Sequence, residues 1–312
     1  MKNKFTYLKA LFVDAGRAEY FSADLTPYII GAVLGLASAN ADFTDWYNIS
    51  IFLHGLFVVI CAHYSAVWSN VLSDYELDKK YKSTLPQAVD IITKKYLTIF
   101  IVLFSLIGTF LVLDLSLKQG QLTLFYLWAI GLFSSHIYTL EPIRLKKYPL
   151  IGDIARGLPI VIPMIFGFFL FSENVNNLLV YNFVGISINL LGLFLIGEVW
   201  DWKDDKGYVK TIAVVLGYKF CLNWGIVLIL VGIIICILGY YPFIRNNTPI
   251  LIYMLLSVVV MIVFFGIFYY TIYRKRNNYL QIEHACGLLT KIGTTSIWLW
   301  FLIGASVFYY NT

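Results

Sequence analysis

Apolar runs of about twenty residues recur along this chain, Tyr96–Leu115 and Leu251–Tyr270 among them. That is the length a helix needs to cross the hydrocarbon core of a bilayer. A segment surrounded by lipid has no water to satisfy its backbone, so each run closes its own hydrogen bonds as a helix. Nine windows lie between polar breaks, at about 21–39, 50–69, 96–116, 121–140, 153–172, 178–198, 213–240, 250–272 and 293–310. Composition agrees, since 60% of the 312 residues are hydrophobic and 13% charged, against about 25% charged in soluble domains. Disorder, a collagen-like fibre and a disulfide-stapled scaffold are excluded by the same figures. The expected fold is all-α: one polytopic membrane domain over 1–312 with nine transmembrane helices.

The polar connections fix how the chain is threaded. The N-terminal stretch and the links 70–95, 141–152, 199–212 and 273–292, with Arg156 and Lys219 at span starts, hold 21 of the 23 Lys and Arg residues. The opposite set holds only Lys118 and Arg245. Basic residues stay cytoplasmic, which predicts the N-terminus inside and the C-terminus outside. The net charge of +5 then reports topology and contact with anionic lipid, not nucleic acid. Residues 1–25 mix charges with short apolar stretches and read as a cytoplasmic leader or surface helix. Cys61, Cys221, Cys236 and Cys286 show no CxxC spacing and read as packing residues.

Two long cytoplasmic links repeat one another. Asn70, Asp74, Asp78, Lys79, Tyr81, Thr84 and Leu85 recur 127 positions later as Gly197, Asp201, Asp205, Lys206, Tyr208, Thr211 and Ile212, without a gap. This predicts pseudo-repeats over about 20–150 and 151–275 with a ninth helix at about 293–310, a parallel repeat of the kind membrane folds carry. Residues four apart share a helix face, so Asp74 stacks on Asp78 and Asp201 on Asp205. Such like charges at the mouth of an apolar bundle need counter-charge. Open carboxylate shells suit Mg²⁺, which bridges acids to phosphate oxygens. The expected metal ligands are Asp74, Asp78, Asp201 and Asp205. Lys79, Lys80, Lys206, Lys210, Arg144, Lys146 and Lys147 add charge for the same anion. Asp153 and Arg156, three apart, read as a structural ion pair.

The motifs carry a family resemblance. Asn70-x-x-x-Asp74-x-x-x-Asp78 resembles the first aspartate-rich motif of the UbiA superfamily of intramembrane prenyltransferases. Glu198-x-x-Asp201-x-x-x-Asp205-Lys206 resembles the second, and Tyr138 through Pro142 and Arg144 to Lys146 is similar to the segment after the family's fourth helix. The resemblance implies nine helices around a central cavity that opens to the cytoplasm. It implies an integral enzyme of a bacterial or archaeal cell membrane that ionises a polyprenyl diphosphate with Mg²⁺. The prenyl group then passes to a lipophilic acceptor, with an aromatic one among the candidates.

In that reading Asn70, Asp74, Asp78, Asp201 and Asp205 are catalytic. Lys79, Lys82, Tyr138, Arg144, Lys146, Glu198, Lys206 and Lys210 bind substrate, and His63 and Asn189, deeper on their helices, are candidates to touch the acceptor. Aromatic faces steady a desolvated cation, and Tyr64, Trp68, Tyr138 and Trp200 are the aromatic neighbours of the motifs. Val71, Glu141 and the run Lys82–Pro86 depart from the family pattern in positions that bear on the acceptor. A terpene cyclase of the same superfamily is the nearest alternative. A cation-coupled transporter is a further one, although its acids would be expected near the bilayer midplane.

Overall fold

A computed structural model describes residues 4–81, 84–207, 209–244 and 247–311. Among them every regular element is helical: α1 (Lys4–Lys9), α2 (Phe21–Ala39), α3 (Trp46–Tyr81), α4 (Thr84–Ile92), α5 (Lys94–Gln119), α6 (Leu122–Thr139), α7 (Ile151–Phe169), α8 (Asn177–Asp205), α9 (Ile212–Leu216), α10 (Tyr218–Ile244), α11 (Thr248–Lys275) and α12 (Tyr279–Asn311), with short 3₁₀ and π turns between. Local chemistry sets the ends. Asn40 and Gly120 take left-handed conformations that close α2 and α5. The Asn176 side chain accepts from the Leu179 amide at 2.8 Å and starts α8.

Among the described residues eight helices are long and apolar enough to span a bilayer: α2, α3, α5, α7, α8, α10, α11 and α12. The protein is a multi-pass integral membrane protein. The sequence predicts nine spans, and the remaining window is α6, 18 residues long. Its final turns carry Ser134, Ser135 and His136, which dilute its apolar character, yet it packs between α5 and α7 in the same layer.

Helix length positions the motifs. With 36 residues, α3 is about 54 Å long, far more than the ~30 Å hydrocarbon core. That length lets one helix cross the apolar layer and still carry Asp74 and Asp78 in its last turns. The 29 residues of α8 do the same for Asp201 and Asp205. The contact of α8 with α10 is the most extensive in the bundle, followed by α2 with α7. Both are close backbone approaches through glycine. A Cβ on Gly31 would lie 1.8 Å from the Met164 carbonyl oxygen, and one on Gly232 would lie 2.4 Å from that of Gly185. Without a hydrophobic drive between helices in lipid, small residues permit the van der Waals contact that holds them. α12 packs on α2, α8 and α11, joining the last long helix to the first.

The leader is more firmly held than a surface helix. Ala10, Leu11 and Ala15 are fully buried, α4 packs against them, and the Trp68 indole donates to the Leu11 carbonyl at 2.9 Å. Tyr64 stacks on Trp68, ring centroids 5.0 Å apart. All four cysteines are buried and unpaired, as packing residues should be.

Candidate active site

Two chambers lie end to end inside the bundle. The outer one, about 700 Å³, is lined by Asp74 and Asp78 from α3, Asp201 and Asp205 from α8, and Lys146, Tyr138, Glu198 and Lys210. The inner one, about 190 Å³, is mainly apolar, with Val58, Trp128, Leu132, Ile162 and Phe166 in its walls, Pro159 and Pro163 of α7 beside them, and Asp24 and His63 among its polar lining. Arg17, Tyr20, Asn70, Tyr138, Arg156 and Thr290 line both and so ring the passage between them.

Basic residues from the link after α6 meet the first acid pair. Asp74 accepts from the Arg144 guanidinium at 3.0 Å and also from Lys146. Arg144 holds φ at 41°, a conformation uncommon outside glycine, and from there also reaches Glu141 at 3.3 Å. Lys147 and Arg144 together hold the Glu141 carboxyl below its ordinary range. Burial pulls the Lys146 ammonium below the usual lysine value, against the opposing pull of Asp74. Asp78 is buried, at 6% exposure. On the other side Glu198 accepts from the Ala213 amide at 2.8 Å. It thereby ties the second motif to the start of α9, whose N-terminus is capped by Thr211.

Several expected residues lie elsewhere. Lys79 sits over the Tyr75 ring at 4.4 Å, and Lys206 over Trp202 at 5.4 Å; neither lines a chamber. Asn189 is buried and donates to the Ile229 carbonyl at 3.3 Å, bridging α8 to α10 away from both chambers. A polar group in that position is satisfied by the neighbouring helix. Lys82 lies outside the described residues. His63 does line the inner chamber, but both of its ring nitrogens are engaged, Nδ1 with Asp24 at 2.5 Å and Nε2 with the Gly16 carbonyl at 3.2 Å. Of the aromatic neighbours, Tyr138 and Trp200 line the outer chamber, whereas Tyr64 and Trp68 hold the leader.

The expected Asp153–Arg156 ion pair is not formed. Asp153 lies beside the Glu198 carboxyl and within the field of Arg156 without bridging to it directly, and Arg156 stacks on the Phe194 ring at 4.3 Å. Sequence reasoning also missed Arg17, Tyr20, Thr290 and Lys291. The signal for Lys291 was present, because an ionisable residue within a spanning helix is functional by default; it lines the outer chamber over Trp200 at 4.9 Å.

The donor set fits a hard divalent cation. Asn70 Oδ1 and Asp153 Oδ2 are buried oxygens without a hydrogen bond, and the surrounding ligands are carboxylates, the preference of Mg²⁺ rather than of softer ions. Among the described residues, no three His, Cys, Asp or Glu side chains approach closely enough to hold an ion alone. Water and ligand oxygens must complete any shell, which is how Mg²⁺ is ordinarily bound.

The chain is similar to several known proteins. A probable homogentisate phytyltransferase 2, chloroplastic, from Oryza sativa subsp. japonica is 29% identical over 123 residues, 38% of this chain and 31% of the relative. The match thus spans about a third of that protein's length. Among solved structures, one described for digeranylgeranylglyceryl phosphate synthase aligns over 98% of this chain and 99% of its own, with 21% identity and a TM-score of 0.67. A UbiA homologue from Archaeoglobus fulgidus bound to GPP and Mg²⁺ aligns over the same shares, with 15% identity and a TM-score of 0.69. These structures establish likeness of fold. Residues 28–286 match the UbiA prenyltransferase family, and with most of its length so matched the chain belongs to that family.

Proposed function

We propose that this protein ionises an allylic polyprenyl diphosphate and transfers the prenyl group to a lipophilic acceptor, releasing diphosphate. The observation that carries the reading is the convergence of both acid pairs on one polar chamber continuous with an apolar one. A molecule charged at one end and hydrocarbon at the other matches that pair of spaces. The names of the relatives point the same way, toward prenyl diphosphates and, in one case, an aromatic acceptor.

Asp74, Asp78, Asp201 and Asp205, with Asn70, would hold Mg²⁺, which supplies charge neutralisation for the departing diphosphate. Lys146 and Arg144, already resting on Asp74, and Lys210 and Lys291 in the same wall, offer donors to phosphate oxygens beside those acids. The apolar walls of the inner chamber keep water from the cation, and Tyr138 presents a ring at the passage. We assign the chamber mouth to the cytoplasmic side, on the strength of the Lys and Arg asymmetry.

The test uses protein in nanodiscs with farnesyl and geranylgeranyl diphosphates, in Mg²⁺ or EDTA, with homogentisate among a panel of aromatic and glycerol-phosphate acceptors. Diphosphate release is expected to require Mg²⁺ and to fall by about 10²-fold or more in Asp74→Ala and Asp201→Ala. Release indifferent to EDTA and to both substitutions would overturn the assignment. A hydrocarbon formed without acceptor would redirect it to cyclisation.

A further inference from the structure

Arg156 stands at the passage between the chambers and lines both. Its guanidinium lies over the face of Phe194 at 4.3 Å, and among the described residues it makes no ion pair or hydrogen bond. Tyr20, Tyr138, Asp153, Asp201 and Glu198 are titratable groups near enough for their fields to reach it. Of these Asp153, the partner expected from sequence, faces Glu198. A guanidinium carries five donors and cannot lose its charge. Inside a bundle in lipid such a group is retained only with an anionic partner or a task. Arg17, also in the passage, lies over the Tyr20 ring at 4.4 Å and pairs with Glu19 at 3.7 Å through a buried Nε that makes no hydrogen bond, while holding φ at 46°. Two guanidiniums with unspent donors thus face one constriction.

The chemistry of a prenyl diphosphate changes character at one bond. On one side of the C1–O bond lies a polyanion suited to the outer chamber, and on the other a hydrocarbon suited to the inner one. The passage is where that bond must fall if the two ends lie in their matching spaces. We propose that Arg156 is a catalytic residue that donates to the α-phosphate and its bridging oxygen at the scissile bond, an inference resting on the prenyl diphosphate reading above. When C1–O breaks, both electrons of the bond go to the bridging oxygen; an allylic cation and a diphosphate anion separate. No proton moves, and Arg156 keeps its own. A donor aimed at the oxygen on which charge develops stabilises the transition state more than the ground state. Phe194 fixes the guanidinium plane so that little reorganisation is needed.

The experiment compares wild type with Arg156→Met and Arg156→Lys in nanodiscs with Mg²⁺. It measures single-turnover diphosphate release from geranylgeranyl diphosphate and binding of geranylgeranyl thiolodiphosphate, which is slow to ionise. For Arg156→Met we expect release to fall about 10²- to 10³-fold, the range for losing one such donor, with binding of the analogue weakened no more than about tenfold. Arg156→Lys should recover part of the rate, since it restores charge without the planar fork. Wild-type release in Arg156→Met overturns the proposal. So does an equal loss of release and analogue binding, which marks a positional or structural role. Should the Met variant not accumulate, Arg156→Lys decides: slowed release with intact binding supports the role, and wild-type release overturns it. If wild-type protein neither binds the analogue nor releases diphosphate, the prenyl diphosphate reading itself fails. Failure of Arg156 alone leaves that reading standing.

Discussion

Asn70 and Asn189 are amides on two long helices with different surroundings. The Asn189 side chain is bonded to the Ile229 carbonyl of the adjacent helix, so Asn189→Leu should cost on the order of 1 kcal/mol of stability. Diphosphate release should stay within about twofold of wild type, the response of a rate measured per folded molecule. Asn70 Oδ1 is buried without a partner at the passage, and Asn70→Leu should instead cut Mg²⁺-dependent release by at least about tenfold while leaving the melting temperature near wild type. A thermal scan beside the release assay checks both. The two acid pairs were legible because their spacing puts each on one helix face, and the 127-residue repetition marked them as more than solvated surface. What separates Asn70 from Asn189, and what joins Asp153 to Glu198 instead of Arg156, depends on which helix lies opposite. No spacing along one helix contains that information. Arg17 reaches the chamber from a segment with no motif of its own, whereas Lys291 was marked by its charge within a spanning helix.

Among the elements, apolar runs gave the long helices well, and the first window at 21–39 coincides with α2. Periodicity could not give their reach. The second window ends near 69, whereas α3 continues to Tyr81, because amphiphilic and charged residues past the bilayer still favour helix when the leader and α4 pack against them. That extension is what carries Asp74 and Asp78 into the chamber. Contacts between helices rest on glycines that no hydropathy window distinguishes. Gly31 in α2 meets the Met164 backbone of α7, and Gly232 in α10 meets Gly185 in α8. In both, the obstacle to a side chain is a carbonyl oxygen, which cannot swing aside as a rotamer can. Gly31→Leu and Gly232→Leu should each lower the yield of monodisperse protein and its melting temperature, with any residual folded fraction poorly active. Gly266, whose added Cβ would meet nothing, is the control: Gly266→Ala should be neutral or slightly stabilising through helix propensity. A fluorescence-detected thermal stability assay in detergent separates the two classes.

At the scale of the molecule, we propose that the halves at about 20–150 and 151–275 act as a pair, each contributing one acid motif to the shared chamber. Asp74→Asn and Asp201→Asn should then lower release by similar factors. The double variant should be scarcely worse than either, since groups acting as one unit are not additive. The orientation we propose for that pair rests on where the basic residues lie, and the buried cysteines make it measurable. All four are buried, so the native chain offers a membrane-impermeant maleimide little background. Asn174, in the link between α7 and α8, and Lys275, at the end of α11, are both exposed and belong to opposite sets of connections. The Lys and Arg distribution puts position 174 outside and position 275 with the cytoplasmic links. In intact cells, Asn174→Cys should label and Lys275→Cys should not; after permeabilisation both should. The reverse pattern would turn the chamber mouth outward, away from a cytoplasmic supply of diphosphate substrate.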